Sequence, residues 1–373
     1  MLPYGLPMIY RSITSQSLHY YSRPHAQIPQ QPLQGSAAWY GSIMRERSDW
    51  LVQLDNEQLS VFRHAIDVAK ATGKDTQRLT DKDFPLPELA SDIQHWRREL
   101  QSGRGFLLLR GVPVETWGEQ DCELFFWCLG WHLGLPGAQN RFGELLGHVR
   151  DTGADPNDPG VREYRTRVNI SFHCDAADVV GLMCLKTAKS GGASRIASSV
   201  TIFNELLRSR PELASRLFEP FLLDAHAEGG LETFPVTPCR YYNGRLSTFY
   251  HSGYFRSATR YRGVAPLNAE ELELLDAYDA LAANPNIHLD MDLQPGDIQL
   301  CSNHTIVHSR ADYEDHSDPA LRRHLLRLWL SLREPRSAGY RWRKTHNKLQ
   351  LLGSLIRCRW QQRGRVQAVG HDQ

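Results

Sequence analysis

The chain has 373 residues, of which 41% are hydrophobic and 23% are charged, and its formal net charge is +1. A chain of this kind can bury a large core. The balanced charge provides no general field for nucleic acid or an anionic membrane, so we expect neither as a partner. No apolar run reaches the roughly 18 residues that a membrane-spanning helix needs. Scattered cysteines without a CxxC pair favour a reducing compartment, and we expect a cytoplasmic location.

The two ends of the chain differ from its middle in composition. Residues 1–45 contain Arg11, Arg23 and Arg45 but no acidic residue, and they predict a flexible leader. The same composition resembles a weak organelle transit peptide, which leaves organelle targeting open. Residues 46–336 are expected to form a single domain, with a helical first part. Residues 337–373 form a basic tail, which we expect to be docked or solvated, with a membrane or nucleic-acid arm as the alternative.

Apolar spacing predicts alternating helices and strands along the domain. Helical spacing covers approximately residues 48–73, 86–102, 115–132, 201–210 and 268–283. Strand patterns occur near residues 103–113, 179–185, 195–200, 289–293, 298–301, 305–308 and 325–332. Many short strands separated by turns and inserted helices favour a mainly β fold, with a sandwich or jelly-roll core and flanking helices.

The segment SFHCDA at 171–176 carries the strongest chemical signal. Residues i and i+2 of a strand point to the same face, so His173 and Asp175 can converge on one metal ion while Cys174 turns away. A third ligand must come from elsewhere, and the best candidate segment is NHTIVHSR at 303–310. Two histidines and one carboxylate make the facial triad of non-haem Fe(II) oxygenases.

Spacing alone does not choose between His304 and His308 as the third ligand. On a helix the pair would resemble a zinc-protease motif, but Thr305 stands where such an enzyme needs a glutamate. The β-branched residues between them favour a strand, on which both histidines would face the same side. His148, in a polar stretch before the ligand strand, is expected to be structural or exposed, with a substrate contact as the alternative.

Four segments taken together resemble the TauD/TfdA group of Fe(II)- and 2-oxoglutarate-dependent dioxygenases. They are HCD at 173–175, SGGAS at 190–194, PGDIQLCSNHTIVHSR at 295–310 and RRHLLRLWLS at 322–331. HxD alone is a weak signal, whereas HxD followed in order by a distant histidine and an arginine pair is specific. The resemblance covers residues 103–333 and implies a double-stranded β-helix, a distorted jelly roll.

The resemblance also implies roles for individual residues. His173, Asp175 and His308 match the metal ligands, which leaves His304 as a structural neighbour. Arg323 matches the arginine that binds the far carboxylate of 2-oxoglutarate, and a planar guanidinium can hold a carboxylate with two parallel hydrogen bonds.

Further positions match less directly. Ser194 falls where relatives have a threonine hydroxyl that helps to hold 2-oxoglutarate, although it could instead satisfy a turn. Arg327, four residues after Arg323, matches an arginine that faces the acidic group of the substrate or of 2-oxoglutarate. Asn169 and Gln139 are expected to contact the substrate.

The implied activity is oxidation, most often hydroxylation, of an unactivated C–H bond in a small organic substrate. Fe(II), 2-oxoglutarate and O2 are the expected cofactor and cosubstrates, with succinate and CO2 as products. The expected substrate is a small acid such as an amino acid, a sulfonate or a phosphonate, and a larger natural product is the alternative. Desaturation or cyclisation at the same site stays open. A zinc hydrolase conflicts with Arg323, and a non-enzymatic binder conflicts with the intact triad. A homo-oligomer is left open.

Overall fold

The structure, a computed structural model, describes residues 10–155, 158, 161–226, 231–333 and 337–369, with side chains up to residue 359. The helices are α1 (Ile13–Tyr21), α2 (Gly41–Arg45), α3 (Asn56–Ala71), α4 (Ala90–Ser102), α5 (Val114–Leu133), α6 (Ser199–Ser209), α7 (Pro211–Arg216), α8 (Ser252–Ser257), α9 (Ala269–Ala282) and α10 (Ala338–Val369). The strands are β1 (Leu51–Gln53), β2 (Phe106–Arg110), β3 (Leu135–Gly137), β4 (Leu146–Val149), β5 (Ile170–His173), β6 (Val179–Lys186), β7 (Ser190–Gly191), β8 (Ser194–Ser198), β9 (Phe221–Asp224), β10 (Thr233–Val236), β11 (Cys239–Tyr242), β12 (Arg245–Thr248), β13 (His288–Met291), β14 (Ile298–Ser302), β15 (Ile306–Arg310), β16 (Tyr313–Glu314) and β17 (His324–Ser331). None of the described helices is long and apolar enough to cross a bilayer.

Two β-sheets form the centre of the fold. The larger has the strand order β1-β2-β14-β6-β17-β3, with β4 also paired to β17, and the smaller has the order β13-β8-β15-β5. Phe106 and Trp329 from the larger sheet meet Ile196 and Leu289 from the smaller sheet in one buried cluster. Apolar side chains therefore fill the space between the sheets, as in a jelly roll that does not close into a barrel.

Helices cover the outer face of each sheet. Phe125 of α5 belongs to the same buried cluster as Leu326 of the larger sheet, together with side chains of α3 and α4. On the other side, Phe203 of α6 and Leu274 of α9 cluster with Val307 of the smaller sheet. Each sheet thus buries both faces, which explains why β17 is apolar along most of its length rather than alternating.

Most of the predicted elements are present, with shifted bounds. The helix predicted from residue 48 begins only at Asn56, because Leu51–Gln53 instead pairs in parallel with β2. Asp55 caps the helix, and its side chain and that of Gln58 bond to each other's backbone N–H groups. The predicted cap Asn268 starts α9 in the same manner.

The N-terminal segment is packed into the fold, which differs from the flexible leader that the sequence predicts. Tyr20 is fully buried, and its hydroxyl donates to the carbonyl oxygens of Thr248 and Asn303 at 3.1 and 2.8 Å. His19 Nε2 lies 2.7 Å from Asp178 Oδ2. These partners are distant in sequence, so the composition of the segment carries no sign of them. The first nine residues lie outside the described part.

The basic C-terminal tail forms α10 and is docked on the N-terminal segment. The side chain of Asn347 donates to the carbonyl oxygen of Arg23 at 2.7 Å, and Arg343 donates to that of His25 at 3.3 Å. The predicted domain boundary after residue 336 lies outside the described residues, and the predicted division of the chain into three parts stays a prediction.

Asp178 holds the N-terminal helix to the sheet core. Its carboxylate accepts from His19, from His304 at 2.8 Å and from the backbone N–H of Leu332 at 2.7 Å. Burial opposes ionisation, but the charges and hydrogen bonds of the two histidines hold the pKa of Asp178 well below its usual value. We expect Asp178→Ala to lower the free energy of unfolding by about 3 kcal/mol or more, because it leaves buried polar partners unpaired. Urea denaturation measures this change.

The matched control is Asp75→Ala, since the Asp75 side chain is 87% exposed and its arginine partner is 3.9 Å away. It is expected to change the free energy of unfolding by less than about 0.5 kcal/mol. Equal stability of the two variants would show that the network around Asp178 does not hold the N-terminal helix in place.

Candidate active site

The three predicted metal ligands lie together at the edge of the smaller sheet. His173 ends β5 and pairs directly with His308 on the neighbouring strand β15. Their ring centres are 4.3 Å apart, and His308 Nε2 lies 3.6 Å from Asp175 Oδ2. One ligand atom from each residue lies within 4.8 Å of the other two. The arrangement matches two histidines and one carboxylate around a single position.

Backbone and side-chain bonds fix this cluster. Cys174 turns away into the core, as the alternation of a strand predicts. The N–H of Asp175 donates to Asn303 Oδ1 at 3.0 Å. His173 Nδ1 lies 2.8 Å from the carbonyl oxygen of Ser171, which leaves Nε2 of the same ring for a ligand bond.

The protonation states suit a divalent metal ion. Burial and the neighbouring His173 lower the pKa of His308 to about 3, so its ring is neutral at neutral pH. Burial alone would raise the pKa of Asp175, but the charge of Arg327 and then of His308 lowers it. A neutral imidazole and an ionised carboxylate are the forms that bind metals, so the donor set fits the implied iron.

His304 lies apart from this cluster. It belongs to the turn before β15, not to the strand itself, and its Nε2 bonds to Asp178 at 2.8 Å. Its ring also stacks on Tyr20, with 5.0 Å between the ring centres. The structure thus separates two histidines that strand spacing alone would place on one face.

The cluster opens into a cavity of about 310 Å³. Arg310, Arg323 and Arg327 are three of its lining residues. Apolar side chains from the two ends of the chain line it as well, among them Leu18 of α1 and Leu355 of α10. The cavity therefore combines buried cations with apolar walls.

Arg323 is an almost fully buried cation with a free donor. It is 6% exposed, and its Nη1 has no hydrogen-bond partner within the described part of the chain. The guanidinium carbon lies 5.1 Å from the ring centre of Tyr313. Gly192, at a φ of +76°, runs so close that a Cβ there would lie 3.3 Å from Arg323 Nε. A glycine at this turn thus leaves room for the guanidinium.

Sequence reasoning missed Arg310, a second buried arginine beside the first. It is 6% exposed, and two of its guanidinium nitrogens, Nε and Nη1, lack partners among the described residues. It lies 4.9 Å from the ring centre of Tyr313, the ring that Arg323 also approaches. Burial and the charge of Arg323 lower its pKa to about 10. The available signal was its position two residues after His308, on the same face of the strand.

Ser194 and Gln139 have defined partners. Ser194 lines the cavity, and its hydroxyl donates to Gln299 Oε1 at 2.9 Å. Gln139 is buried outside the cavity lining, where its Oε1 accepts from Arg327 Nε at 2.6 Å and its amide donates to the Arg327 carbonyl oxygen at 2.8 Å. Its polar atoms are occupied, so Gln139 orients Arg327 rather than reaching a substrate, which corrects its predicted role.

Asn169 does not reach the cavity either, contrary to its prediction as a substrate contact. It precedes β5 and is exposed, whereas Ile170 lines the cavity. The physical reason is an irregularity in the pairing: His308 opposes His173, but Arg310 opposes Ile170, so two steps on β15 match three on β5. The extra residue breaks the alternation on which the prediction depended.

His251 is a further cavity residue that the sequence did not reveal. It forms an isolated β-bridge with His173, and the ring centres are 5.1 Å apart. Its Nδ1 accepts from the N–H of Tyr254 at 3.3 Å, at the start of α8. Burial, together with the nearby histidines and Arg162, holds its pKa well below the usual value. It is far from the motif in sequence, so spacing gives no indication of it.

Comparison with known proteins identifies the family. The family model described as taurine catabolism dioxygenase TauD, TfdA family matches residues 67–329. FR-33289 synthase of Streptomyces rubellomurinus is 30% identical over 331 residues, which cover 85% of this chain and 96% of that protein. A taurine hydroxylase-like protein of Stachybotrys chartarum is 26% identical over 312 residues and 79% of each chain.

Solved structures confirm the jelly-roll fold. An asparagine oxygenase in complex with Fe(II), 3-hydroxyasparagine and succinate superposes with a TM-score of 0.62 at 18% identity, covering 76% of this chain and 93% of that one. The non-heme iron oxygenase OrfP with Fe and alpha-ketoglutaric acid gives a TM-score of 0.57 at 14% identity, over 75% and 94%. The chain belongs to the TauD/TfdA family and is an Fe(II)- and 2-oxoglutarate-dependent dioxygenase.

Proposed function

We propose that His173, Asp175 and His308 hold the iron of this dioxygenase. The observation that carries the proposal is the meeting of their ligand atoms within 4.8 Å at the base of a cavity lined by buried arginines. Bound iron, with 2-oxoglutarate and O2, supplies the oxidation of a C–H bond that no side chain can perform. The chain supplies ligands, orientation and exclusion of water.

The proposed site for 2-oxoglutarate is the Arg323 side of the cavity. The unpartnered Nη1 of Arg323 offers a charge-assisted hydrogen bond to the far carboxylate of the cosubstrate. Arg310 adds a second positive charge, with two free nitrogens. Ser194 lines the same cavity, and its hydroxyl would bond the carboxylate by redirecting the proton that it donates to Gln299 Oε1 in the structure.

We further infer that the substrate is a small acid, such as an amino acid, with an apolar portion. Arg327 lines the cavity close to the proposed iron ligands, and its charge lowers the pKa of Asp175. Gln139 holds its Nε, and its guanidinium carbon lies 4.5 Å from the ring centre of Tyr164, so the cation is fixed before a ligand arrives. The asparagine oxygenase and OrfP structures contain a hydroxylated asparagine and a hydroxylated arginine, and both are amino acids with an α-carboxylate of the kind assigned here to Arg327.

The apolar walls of the cavity support the apolar portion of the substrate. Phe249, Leu351 and Leu355 belong to these walls, and a hydrocarbon group packs against them without needing a hydrogen-bond partner. Burying such a group against these side chains stabilises the complex by about 0.8 kcal/mol for each methylene. A substrate with its acid at Arg327 and its apolar end toward α10 satisfies both parts of the cavity.

The test is a screen of matched pairs, each a carboxylic acid and its primary amide, on Fe(II)-loaded protein with 2-oxoglutarate. We expect the acid of a productive pair to stimulate succinate release and O2 consumption, and its amide to do so at least tenfold less. Arg327→Gln is expected to raise the KM for the acid by roughly 30-fold, since a charge-assisted contact of about 2 kcal/mol is lost. Iron content is measured in each variant.

Arg195→Gln is the matched control, because Arg195 lies on β8 but pairs with Asp290 on the exposed side of the sheet. It is expected to leave the preference for the acid unchanged. Stimulation by amides as strong as by acids, or an unchanged KM in Arg327→Gln, would refute the assignment of the acid to Arg327.

A further inference from the structure

A second cluster of metal-binding side chains lies outside the active-site cavity. It consists of Glu119 and Glu123 on α5, His148 on β4 and His324 at the start of β17. His148 Nδ1 and His324 Nε2 are 2.9 Å apart. His324 Nδ1 lies 3.9 Å from Glu119 Oε1, and His148 Nε2 lies 3.8 Å from Glu123 Oε1. None of the four lines the cavity that holds the triad.

Three elements bring these residues together without strain. Strands β4 and β17 are hydrogen-bonded neighbours, with His148 opposite Leu326. The two glutamates are one turn apart on α5, which packs on this face of the sheet. Gly118, at a φ of +76°, kinks the helix immediately before Glu119. One ligand atom each from Glu119, His148 and His324 lies within 4.8 Å of the other two.

The cluster lacks one positive charge. A neutral imidazole has one N–H donor and one lone pair. If His148 donates to His324, its outer nitrogen presents a lone pair to the carboxylate of Glu123. If His324 donates instead, its outer nitrogen presents a lone pair to the carboxylate of Glu119. Either arrangement sets a lone pair against an anion, and a proton on one imidazole or a bound metal ion would remove the conflict. Burial lowers the pKa of His324 to about 4, which disfavours the proton there.

The charges around the cluster indicate which cation fits. Burial lowers the pKa of His324, and the charges of Arg150 and Lys186 lower it further, so these two cations partly oppose the Glu119 carboxylate. A hard cation that depends on anionic oxygens, such as Mg²⁺, gains little here. Zn²⁺ binds imidazole and carboxylate, with Zn–N bonds of about 2.0–2.1 Å that let one ion contact two nitrogens 2.9 Å apart. Imidazole ligands therefore select a zinc-like ion.

We propose that Glu119, His148 and His324 form a second metal site, which takes Zn²⁺ or a similar transition-metal ion, with Glu123 bonded to His148. The site joins β4, β17 and α5. Because His324 directly follows Arg323 and begins β17, the bound ion fixes the strand that carries Arg327. The proposal does not depend on the assignment of the iron ligands.

The experiment titrates Zn²⁺, in competition with a chromophoric chelator, into full-length protein loaded anaerobically with Fe(II) and 2-oxoglutarate. We expect one equivalent of zinc to bind while the iron content stays constant, and the thermal midpoint to rise. His148→Ala and Glu119→Gln are each expected to weaken this equivalent at least tenfold. Their side chains are 32% and 50% exposed, so both variants keep the core intact.

His95→Ala is the control, since His95 is an exposed histidine on α4, and it is expected to bind zinc like the unaltered protein. Zinc uptake that occurs only with loss of iron would overturn the proposal. Full retention of the equivalent in both His148→Ala and Glu119→Gln would also overturn it, because zinc would then bind elsewhere on the surface.

Discussion

Replacing His173, Asp175 or His308 with alanine is expected to abolish substrate-dependent succinate formation. Each change removes one of the three proposed protein ligands, so we expect metal affinity to fall beyond the roughly 10- to 100-fold that loss of a supporting group costs. Titration of Co(II) or Fe(II) into each variant measures the affinity, and succinate release measures the activity. Asp175→Ala also removes the anion that offsets the charge of the metal, so we expect the largest loss of affinity there.

His304→Ala is the matched control, because His304 is a partly buried histidine four residues from His308 that bonds to Asp178 instead. It is expected to lose stability but to keep most of its metal affinity when measured well below its unfolding temperature. Loss of metal binding in His304→Ala together with retention in His308→Ala would show that the distal ligand is wrongly assigned.

The sequence predicted the fold and the meeting of His173, Asp175 and His308, because both depend on local periodicity and ordered motifs. His173 and Asp175 come from one segment, and β15 follows the alternation that places His308 toward the interior. The glycines of the SGGAS segment predicted a turn, and in the structure Gly192 of this turn lies against Arg323. Such features can be predicted because each requires only neighbours in sequence or a known order of motifs.

The other residues in and around the cavity depend on contacts between distant segments, which spacing in the sequence does not reveal. Asn169 was misplaced because the pairing of β5 with β15 is irregular, and only the partner strand shows this. His251 reaches the cavity through a bridge between distant segments. Arg310 had a usable signal, its position on the strand of His308, but a lone arginine after a histidine is more often an exposed charge.

The two ends of the chain show that average composition also fails to predict which segments pack into the fold. Residues 10–45 have the composition of a disordered leader, yet Tyr20 and Leu18 are buried. The basic C-terminal segment presents Leu351 and Leu355 to the cavity, although eight lysines and arginines dominate its composition. A helix can bury one narrow apolar stripe while its other faces carry charge, so average composition does not reveal docking.

Arg323→Ala is expected to raise the 2-oxoglutarate concentration required for half-maximal activity by roughly 30-fold or more, which corresponds to about 2–5 kcal/mol for a charge-assisted pair at a desolvated position. The reason is that Arg323 is buried, carries an unpartnered nitrogen and faces the cavity. Metal affinity is expected to stay within about threefold, because Arg323 is not a ligand. Calorimetry of 2-oxoglutarate binding to metal-loaded protein measures the first quantity and metal titration the second.

Arg322→Ala is the matched control, since Arg322 is exposed and donates only to the carbonyl oxygens of His316 and Ser317. It is expected to leave the affinity for 2-oxoglutarate unchanged. Arg310→Ala supplies the comparison inside the cavity: if both arginines share the carboxylate, it weakens 2-oxoglutarate binding to a smaller extent than Arg323→Ala. An unchanged affinity in Arg323→Ala with a large loss in Arg310→Ala would transfer the role to Arg310, and the order of arginines after the distal histidine would then be a poor guide to function in this chain.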